Sequence, residues 1–503
     1  MIRTRIGIDY EGVSCVKITK GERDPMIVPD AEKSAFHYNS KFSADVKLTA
    51  FESTPPGGTQ YWPAGANDSN YTKKRANITA GADNITVLIR NSHFPGLPYA
   101  MPLYDLKIKR RSDSRYLDNT RVYTQGSEDP SGREPGYRTL MNWYNQGWLR
   151  NGGDNSWGSP TLGNGLYYLN NAFGQTDFTS YEKTAVVWRL PGDDTPLIDS
   201  VTPSITPGLR TVEISDTWCR VAKPGYDTRT ATPTQMAFDS SGQPLSVIKA
   251  GDVALPAGAT NEIEVGFPGD NSMVCDILQY EQDEIRYPIS GYFTVMNCEY
   301  WFSGTKLYIY NPQTASRARY LVFSRNAAEP TSGNNNVLRQ FNDGTQDVVQ
   351  FLRPGAGNDP SLADIILDSR WPALQMLAEG YIPVSAQSNK VPPSVNTGIA
   401  VDVPFDGAGF FPFVKFSLHM QNGFYGEKVQ APSARLIESY NNSFRYVAEN
   451  TVFCVLTGNN ARFISYEGNP ISERHSTSSG WQYDYSANTL LGIRYYILGI
   501  PAP

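Results

Sequence analysis

The stretch Met236-Ala237-Phe238-Asp239-Ser240, with the strand and turn before it, decides the reading of this chain because it recurs. Ile365-Ile366-Leu367-Asp368-Ser369 repeats it, and Phe36-His37-Tyr38-Asn39-Ser40 is a more diverged copy. A short alternating strand ending in a base and a glycine turn precedes each copy. It runs Cys219-Arg220-Val221-Ala222-Lys223-Pro224-Gly225 in the middle, Val349-Gln350-Phe351-Leu352-Arg353-Pro354-Gly355 in the last, and Val16-Lys17-Ile18-Thr19-Lys20-Gly21 in the first. An aspartate follows each turn, at Asp24, Asp227 and Asp359. Three copies of one strand-turn-strand unit point to a chain built by repeating a module.

Working outward from these anchors divides the 503 residues into three modules: 1–195, 208–327 and 347–503. Short branched and aromatic runs alternate with turn signals throughout, so the expected fold class is all-β, three tandem β-sandwich-like modules. Strands are expected at Val46–Leu48, Asn84–Arg90, Leu103–Lys109, Lys183–Trp188 and Asn261–Phe267. Lys306–Tyr310 and Arg319–Phe323 read as a closing hairpin, repeated at Ala461–Ile464 and Arg494–Leu498. Each module is expected to fold as a unit. Arg370–Glu379 has helical spacing, yet it aligns with the strand-like Gln243–Ile248, and strand is expected there too. Thr139–Leu149 is the other stretch with helical character. Proline-rich 191–207 and polar 329–336 read as linkers.

About 200 residues separate the first two anchors and about 130 the last two, so the first module carries an insertion of about seventy residues, near 112–180. It is crowded with Tyr137, Trp143, Tyr144, Trp148, Trp157, Tyr167 and Tyr168. Rings of this kind stack on sugars or bury amphipathic area, so they are the candidate receptor or subunit contacts.

Composition narrows the function classes. The chain is 40% hydrophobic and rich in Gly (43), Pro (35) and Tyr (30), which suits short strands and elaborate loops. A formal net charge of −6 gives no basis for nucleic-acid binding. The dense basic run Lys107, Lys109, Arg110, Arg111 reads as a solvated strand end. No export signal or membrane span is expected. The Asn-x-Thr triplets in the loop with Asn67, Asn70 and Asn77 are accordingly not read as glycan acceptors. Five cysteines lack metal-type spacing, and Cys219, aligned with Val16 and Val349, reads as a small buried hydrophobe. A surface-type composition kept in a reducing compartment suits a particle assembled inside a host.

No specific catalytic constellation is legible. The four histidines are scattered, and neither a nucleophile elbow nor a phosphate loop occurs. No cofactor or metal is expected. Asp239-Ser240, Asp368-Ser369 and Asn39-Ser40 could invite a catalytic reading. Their recurrence favours structure instead, because all can accept a backbone N–H and build a turn.

The unit Lys223-Pro224-Gly225-Tyr226-Asp227 with Phe238-Asp239-Ser240 resembles repeated modules of tail-tip and tail-fibre proteins of tailed bacteriophages. Phe410-Phe411-Pro412-Phe413-Val414-Lys415-Phe416 is similar to a strand in such proteins, and Tyr99-Ala100-Met101-Pro102-Leu103-Tyr104 is its distant counterpart. The resemblance implies a virion protein of the distal tail, assembled in the host cytoplasm, oligomeric, acting in tail assembly and host attachment without a cofactor. Its expected partners are other tail proteins and a host surface receptor or glycan. The alternatives are a tail-borne glycan-degrading hydrolase, with Glu134 and Asp154 as candidate carboxylates, and an architectural tail connector.

Overall fold

The computed structural model describes residues 3–43, 47–53, 61–62, 71–75, 85–90, 103–110, 112–117, 166–170, 181–189, 208–215, 218–231, 235–239, 245–269, 273–287, 298–312, 314–324, 337–353, 355–360, 364–384, 399–422, 426–430, 438–440, 443–445, 451–466, 471–477, 480–485 and 488–502. The described chain is all-β, and its one helical element is the 3-10 turn Lys33–Ala35. The first unit holds β1 (Arg3–Ile8), β2 (Ser14–Thr19), β3 (Phe36–Asn39), β4 (Lys47–Ser53), β5 (Tyr61–Trp62), β6 (Tyr71–Arg75), β7 (Ile85–Arg90), β8 (Leu103–Arg110), β9 (Tyr116–Leu117), β10 (Leu166–Asn170) and β11 (Tyr181–Arg189). The second holds β12 (Val212–Ile214), β13 (Cys219–Ala222), β14 (Met236–Asp239), β15 (Ser246–Leu255), β16 (Thr260–Glu264), β17 (Met273–Tyr280), β18 (Ile285–Tyr287), β19 (Glu299–Ser303), β20 (Lys306–Tyr310) and β21 (Ser316–Ser324). The third holds β22 (Leu338–Asn342), β23 (Asp347–Leu352), β24 (Ile365–Asp368), β25 (Gln375–Pro383), β26 (Ile399–Pro404), β27 (Phe410–Asn422), β28 (Gly426–Gln430), β29 (Glu438–Tyr440), β30 (Ser443–Arg445), β31 (Thr451–Leu456), β32 (Asn460–Tyr466), β33 (Ile471–Thr477), β34 (Gly480–Tyr485) and β35 (Asn488–Pro501).

Each unit opens with the same three-stranded antiparallel meander: β1-β2-β3, β12-β13-β14 and β22-β23-β24. The register agrees with the sequence repeat residue for residue. Ile18 opposes Tyr38, Val221 opposes Phe238 and Phe351 opposes Leu367, and in each case the next step skips one residue of the third strand. The skipped residues are His37, Ala237 and Ile366. A bulge at one fixed place re-aims a side chain and sharpens the local twist. The turns recur as well, with Gly21, Gly225 and Gly355 at φ of 63°, 84° and 89°, a region open to glycine at no steric cost.

A second recurring sheet follows each meander. Its last strand lies between its first and second: β4-β11-β8, β15-β21-β17 and β25-β35-β27. The second unit therefore does hold a counterpart of Phe410–Phe416, namely β17, which its sequence does not advertise. Gln375–Pro383 is a strand, whereas Thr139–Leu149 lies outside the described residues.

The expected closing hairpins do not form. Lys306–Tyr310 pairs with β16 and β19, while Arg319–Phe323 lies in a different sheet between β15 and β17. In the third unit β32 joins β26 and β31, and β35 joins β25 and β27. The physical reason is burial on both faces. Tyr320–Ser324 is buried without alternation, so this strand needs a neighbour on each side, and the ten-residue β15 and eight-residue β17 offer longer pairing than five-residue β20. Asn311 turns the chain from one sheet to the other, donating through Nδ2 to Leu255 O at 2.9 Å and Thr314 O at 2.7 Å.

The units interlock. Strand β9 of the first unit adds to β19 of the second, and β18 of the second adds to β31 of the third. Both added strands follow a turn in which a residue other than glycine takes positive φ: Ser114 (58°) and Gln282 (57°). Tyr116 stacks on Tyr300 at 4.8 Å, and Tyr287 meets Phe416 edge-on at 5.9 Å. Residues from all three units then meet in buried cores. One combines Val16, Ile18 and Tyr38 with Cys219, Val221 and Phe238 and with Val349, Phe351 and Ile366. Burying a large apolar side chain contributes about 1.5–3 kcal/mol, so this shared core ties each meander to the other two.

Candidate functional site at the junction of the three units

Alternation along β2 sends Val16 and Ile18 into the shared core and Lys17 to the opposite face, where it is fully buried. Lys17 Nζ lies 2.6 Å from Asp9 Oδ2 and 2.7 Å from Asp30 Oδ1. Lys41 Nζ lies 2.6 Å from Asp9 Oδ2, 2.6 Å from Glu11 and 2.5 Å from Asp30 Oδ2. Ligand oxygens of Asp9, Glu11 and Asp30 lie within 4.8 Å of one another, a spacing that would suit a cation, and the Lys41 ammonium already fills that role. Burial by itself pushes the Asp9 carboxyl up. Hydrogen bonds from Lys17, Lys41 and the Val13 N–H outweigh it and hold the group at about 2.

The same place is filled differently in each unit. Asn39 donates to Asp30 at 2.9 Å, Arg220 pairs with Asp239 at 3.3 Å, and Gln350 donates to Asp368 at 2.6 Å. The anchors themselves are backbone clamps. Ser40 Oγ accepts from Val16 N–H and Ser369 Oγ from Val349 N–H, both at 3.0 Å, and the two serine N–H groups bond back to the same strands. Asn39 Oδ1 accepts from Lys41 N–H at 3.0 Å and Asp368 Oδ1 from Arg370 N–H at 2.9 Å. Ser240 lies outside the described residues. After the turns, Asp24 and Asp227 accept from Met26 N–H and Arg229 N–H, both at 2.9 Å.

The three bulge residues converge on one cleft, with a cavity volume of about 90 Å³. His37, Ala237 and Ile366 line it beside Asp368, Ser246 and Trp371. Neighbouring contacts close the ring: Tyr38 donates to Ala237 O at 3.4 Å, and the Phe238 and Phe351 rings lie 5.8 Å apart. Ser246 Oγ and Trp371 Nε1 are buried with no hydrogen-bond partner among the described residues. Burial, with Lys20 adding to it against the opposing Asp368 charge, lowers His37 from 6.5 to about 4.

That shift sets a pH dependence. Between about 4 and 6.5 the unfolded chain binds a proton at His37 that the folded chain does not, so stability falls as pH falls through this window. The effect should reach about 3 kcal/mol. Urea midpoints for the parent and His37→Phe, taken above and below the window, check it: the variant should lose most of this slope. An unchanged slope would remove His37 as its source.

A second buried ion cluster draws one residue from each unit. Lys107 on β8 pairs with Asp276 on β17, and Lys415 Nζ on β27 lies 2.9 Å from Asp276 Oδ2. Lys107 is therefore not part of a solvated strand end. It is 1% exposed, because alternation along β8 turns it inward. Lys109, two residues on, is half-buried over the Tyr116 ring.

Of the aromatic insertion residues, Tyr137, Trp143, Tyr144, Trp148 and Trp157 lie outside the described residues, as do Glu134 and Asp154. Tyr167 and Tyr168 lie on β10, in register with Ile89 and Leu88 of β7. Cys219 is fully buried in the shared core, and all five cysteines are buried and none forms a disulfide. Sequence reasoning missed the lysine–carboxylate network. Its periodic signals are the second-strand base, Lys17 and Arg220, and the base two residues after the anchor, Lys41 and Arg370, whereas Asp9 and Asp30 lie outside the repeat. Among the described residues, no helix is long and apolar enough to cross a membrane.

The fold and the junction define an all-β protein in which three like units share cores and complete one another's sheets. No family model, no curated protein and no solved structure matches the chain.

Proposed function

We propose that this chain is a structural protein of the distal tail of a tailed phage, acting in tail assembly and host attachment without catalysing a reaction. The observation that carries the reading is the interlocking of three copies of one unit around shared cores, with buried ion pairs holding each copy in place. Such a construction suits a load-bearing hub whose use is to hold other chains in fixed geometry. The resemblance of the Lys-Pro-Gly and Phe-Asp-Ser unit to tail-tip and tail-fibre modules supplies the setting. The aromatic segment near 112–180 is then the part that meets a receptor or a neighbouring tail protein, and several such sites on one particle gain affinity through avidity.

Antibody raised against the purified chain, applied to particles of the phage that encodes it, tests the assignment. Label at the distal end of the tail is expected, and intact particles that lack the chain would overturn it. Deleting 118–165, which leaves β9 and β10 in place, in a particle whose tail still assembles should abolish adsorption; unchanged adsorption would remove that segment from host contact. Release of sugar from host envelopes by the purified chain would support the glycan-degrading alternative instead.

A further inference from the structure

Lys17 and Asn39 stand directly opposite each other on β2 and β3, and both are fully buried. Cross-strand partners send their side chains to one face of the sheet, so the amine and the carboxamide are neighbours. One oxygen joins them. Asp30 Oδ1 lies 2.7 Å from Lys17 Nζ and accepts from Asn39 Nδ2 at 2.9 Å. The fully buried Phe36 ring lies 5.6 Å from Lys17 Nζ and closes the site on another side.

The other two units do not repeat this set. Their corresponding pairs are Arg220 opposite Asp239 and Gln350 opposite Asp368, and neither sets an amine against a carboxamide. The first unit differs from them at both positions. Asp30, which both of its groups touch, belongs to the turn segment before β3 and lies outside the repeat.

We propose that the first unit closes a covalent amide between Lys17 and Asn39, stapling β2 to β3. Lys17 Nζ attacks Asn39 Cγ: a C–N bond forms there, the Cγ–Nδ2 bond breaks, and ammonia leaves. Asp30 moves the protons. It takes one from the Lys17 ammonium, passes it to the departing Nδ2, and takes a second from the attacking nitrogen. Asp30 ends protonated, so charge balances, and nothing is oxidised or reduced. Asn39 Oδ1, where negative charge grows during the attack, accepts from the Lys41 N–H at 3.0 Å. Burial alone would lower the pKa of Lys17; hydrogen bonds to Asp30 and Asp9 outweigh it and keep the ammonium as the resting form. The reaction therefore runs slowly through the minor amine form, and escape of ammonia to solvent makes it one-way. This inference concerns the chain alone and does not rest on the tail assignment.

Mass spectrometry of the purified full chain is the test, first intact and denatured, then after trypsin. The intact chain is expected to be lighter than its sequence by one ammonia. The digest should hold a branched peptide in which Ile6–Lys20, uncut after Lys17, is joined to Ser34–Lys41. Lys17→Arg keeps the charge without the primary amine, and Asp30→Asn keeps the shape without the proton relay. Each variant should show the full mass of its own sequence. The measurement on the parent decides even where neither variant folds. A parent of undiminished mass that is cut after Lys17, ammonia lost without a branch as in a cyclised asparagine, or a link that still forms in Asp30→Asn would each overturn the inference.

Discussion

Replacing Asp276 by leucine is expected to cost about 3–5 kcal/mol. Asp276 is the one carboxylate shared by Lys107 and Lys415, each supplied by the second strand, in chain order, of the recurring sheet of a different unit. All three residues are at most 6% exposed, so solvent offers the two ammonium groups little compensation when the carboxylate is gone. The cost therefore comes from two charges left in a poorly polarisable interior. The same argument predicts a rescue. A buried ion triad replaced whole by apolar groups of similar size is often neutral or stabilising, so Lys107→Met, Asp276→Leu and Lys415→Met together should recover most of the loss. Urea unfolding of the parent, the single variant and the triple variant measures both effects. A loss under about 1 kcal/mol for the single variant would mean that the triad does not hold the units together.

Replacing Lys17 by methionine is expected to cost about the same, 3–5 kcal/mol, and to move acid unfolding to higher pH. Lys17 is fully buried against Asp9 and Asp30, which would be left to share Lys41. The sign follows from Asp9. Its carboxyl is held at about 2 in the fold against an ordinary 3.8, so its contribution to stability is present above 3.8 and is lost as pH falls toward 2. Without Lys17 that carboxyl takes up its proton at higher pH, and the loss begins sooner. Titrating both proteins with acid while following tryptophan emission checks the shift. An acid midpoint unchanged in Lys17→Met would show that Lys41 alone sustains the network. His37 acts in a separate and higher window, so the two contributions can be resolved along one pH series.

How much of this was legible beforehand can be judged residue by residue. The repeat alignment that equates Val16, Cys219 and Val349 is the alignment of the strand register, because period-two burial and a glycine turn leave direct marks in the chain. The all-β class follows from the same marks. The aligned anchors Asn39, Asp239 and Asp368 were visible as a column, but their partners were not: Asp30 serves one, Arg220 another and Gln350 the third. The basic run at Lys107–Arg111 misled, since a strand sends alternate members of a charge run to opposite sides and only the packing says which side is wet.

Local chemistry by itself therefore determined that the chain is β-rich, where it turns, and that it repeats one unit three times. Those properties depend on neighbours a few residues apart, whose signals lie side by side in the sequence. The tertiary structure decided that Lys306–Tyr310 and Arg319–Phe323 part into different sheets, and that β9 and β18 complete the sheets of adjacent units. It also decided that Lys107, Asp276 and Lys415 meet. Each of these brings together groups far apart along the chain. Such pairings are selected by which surfaces bury which others, a competition that no single stretch records.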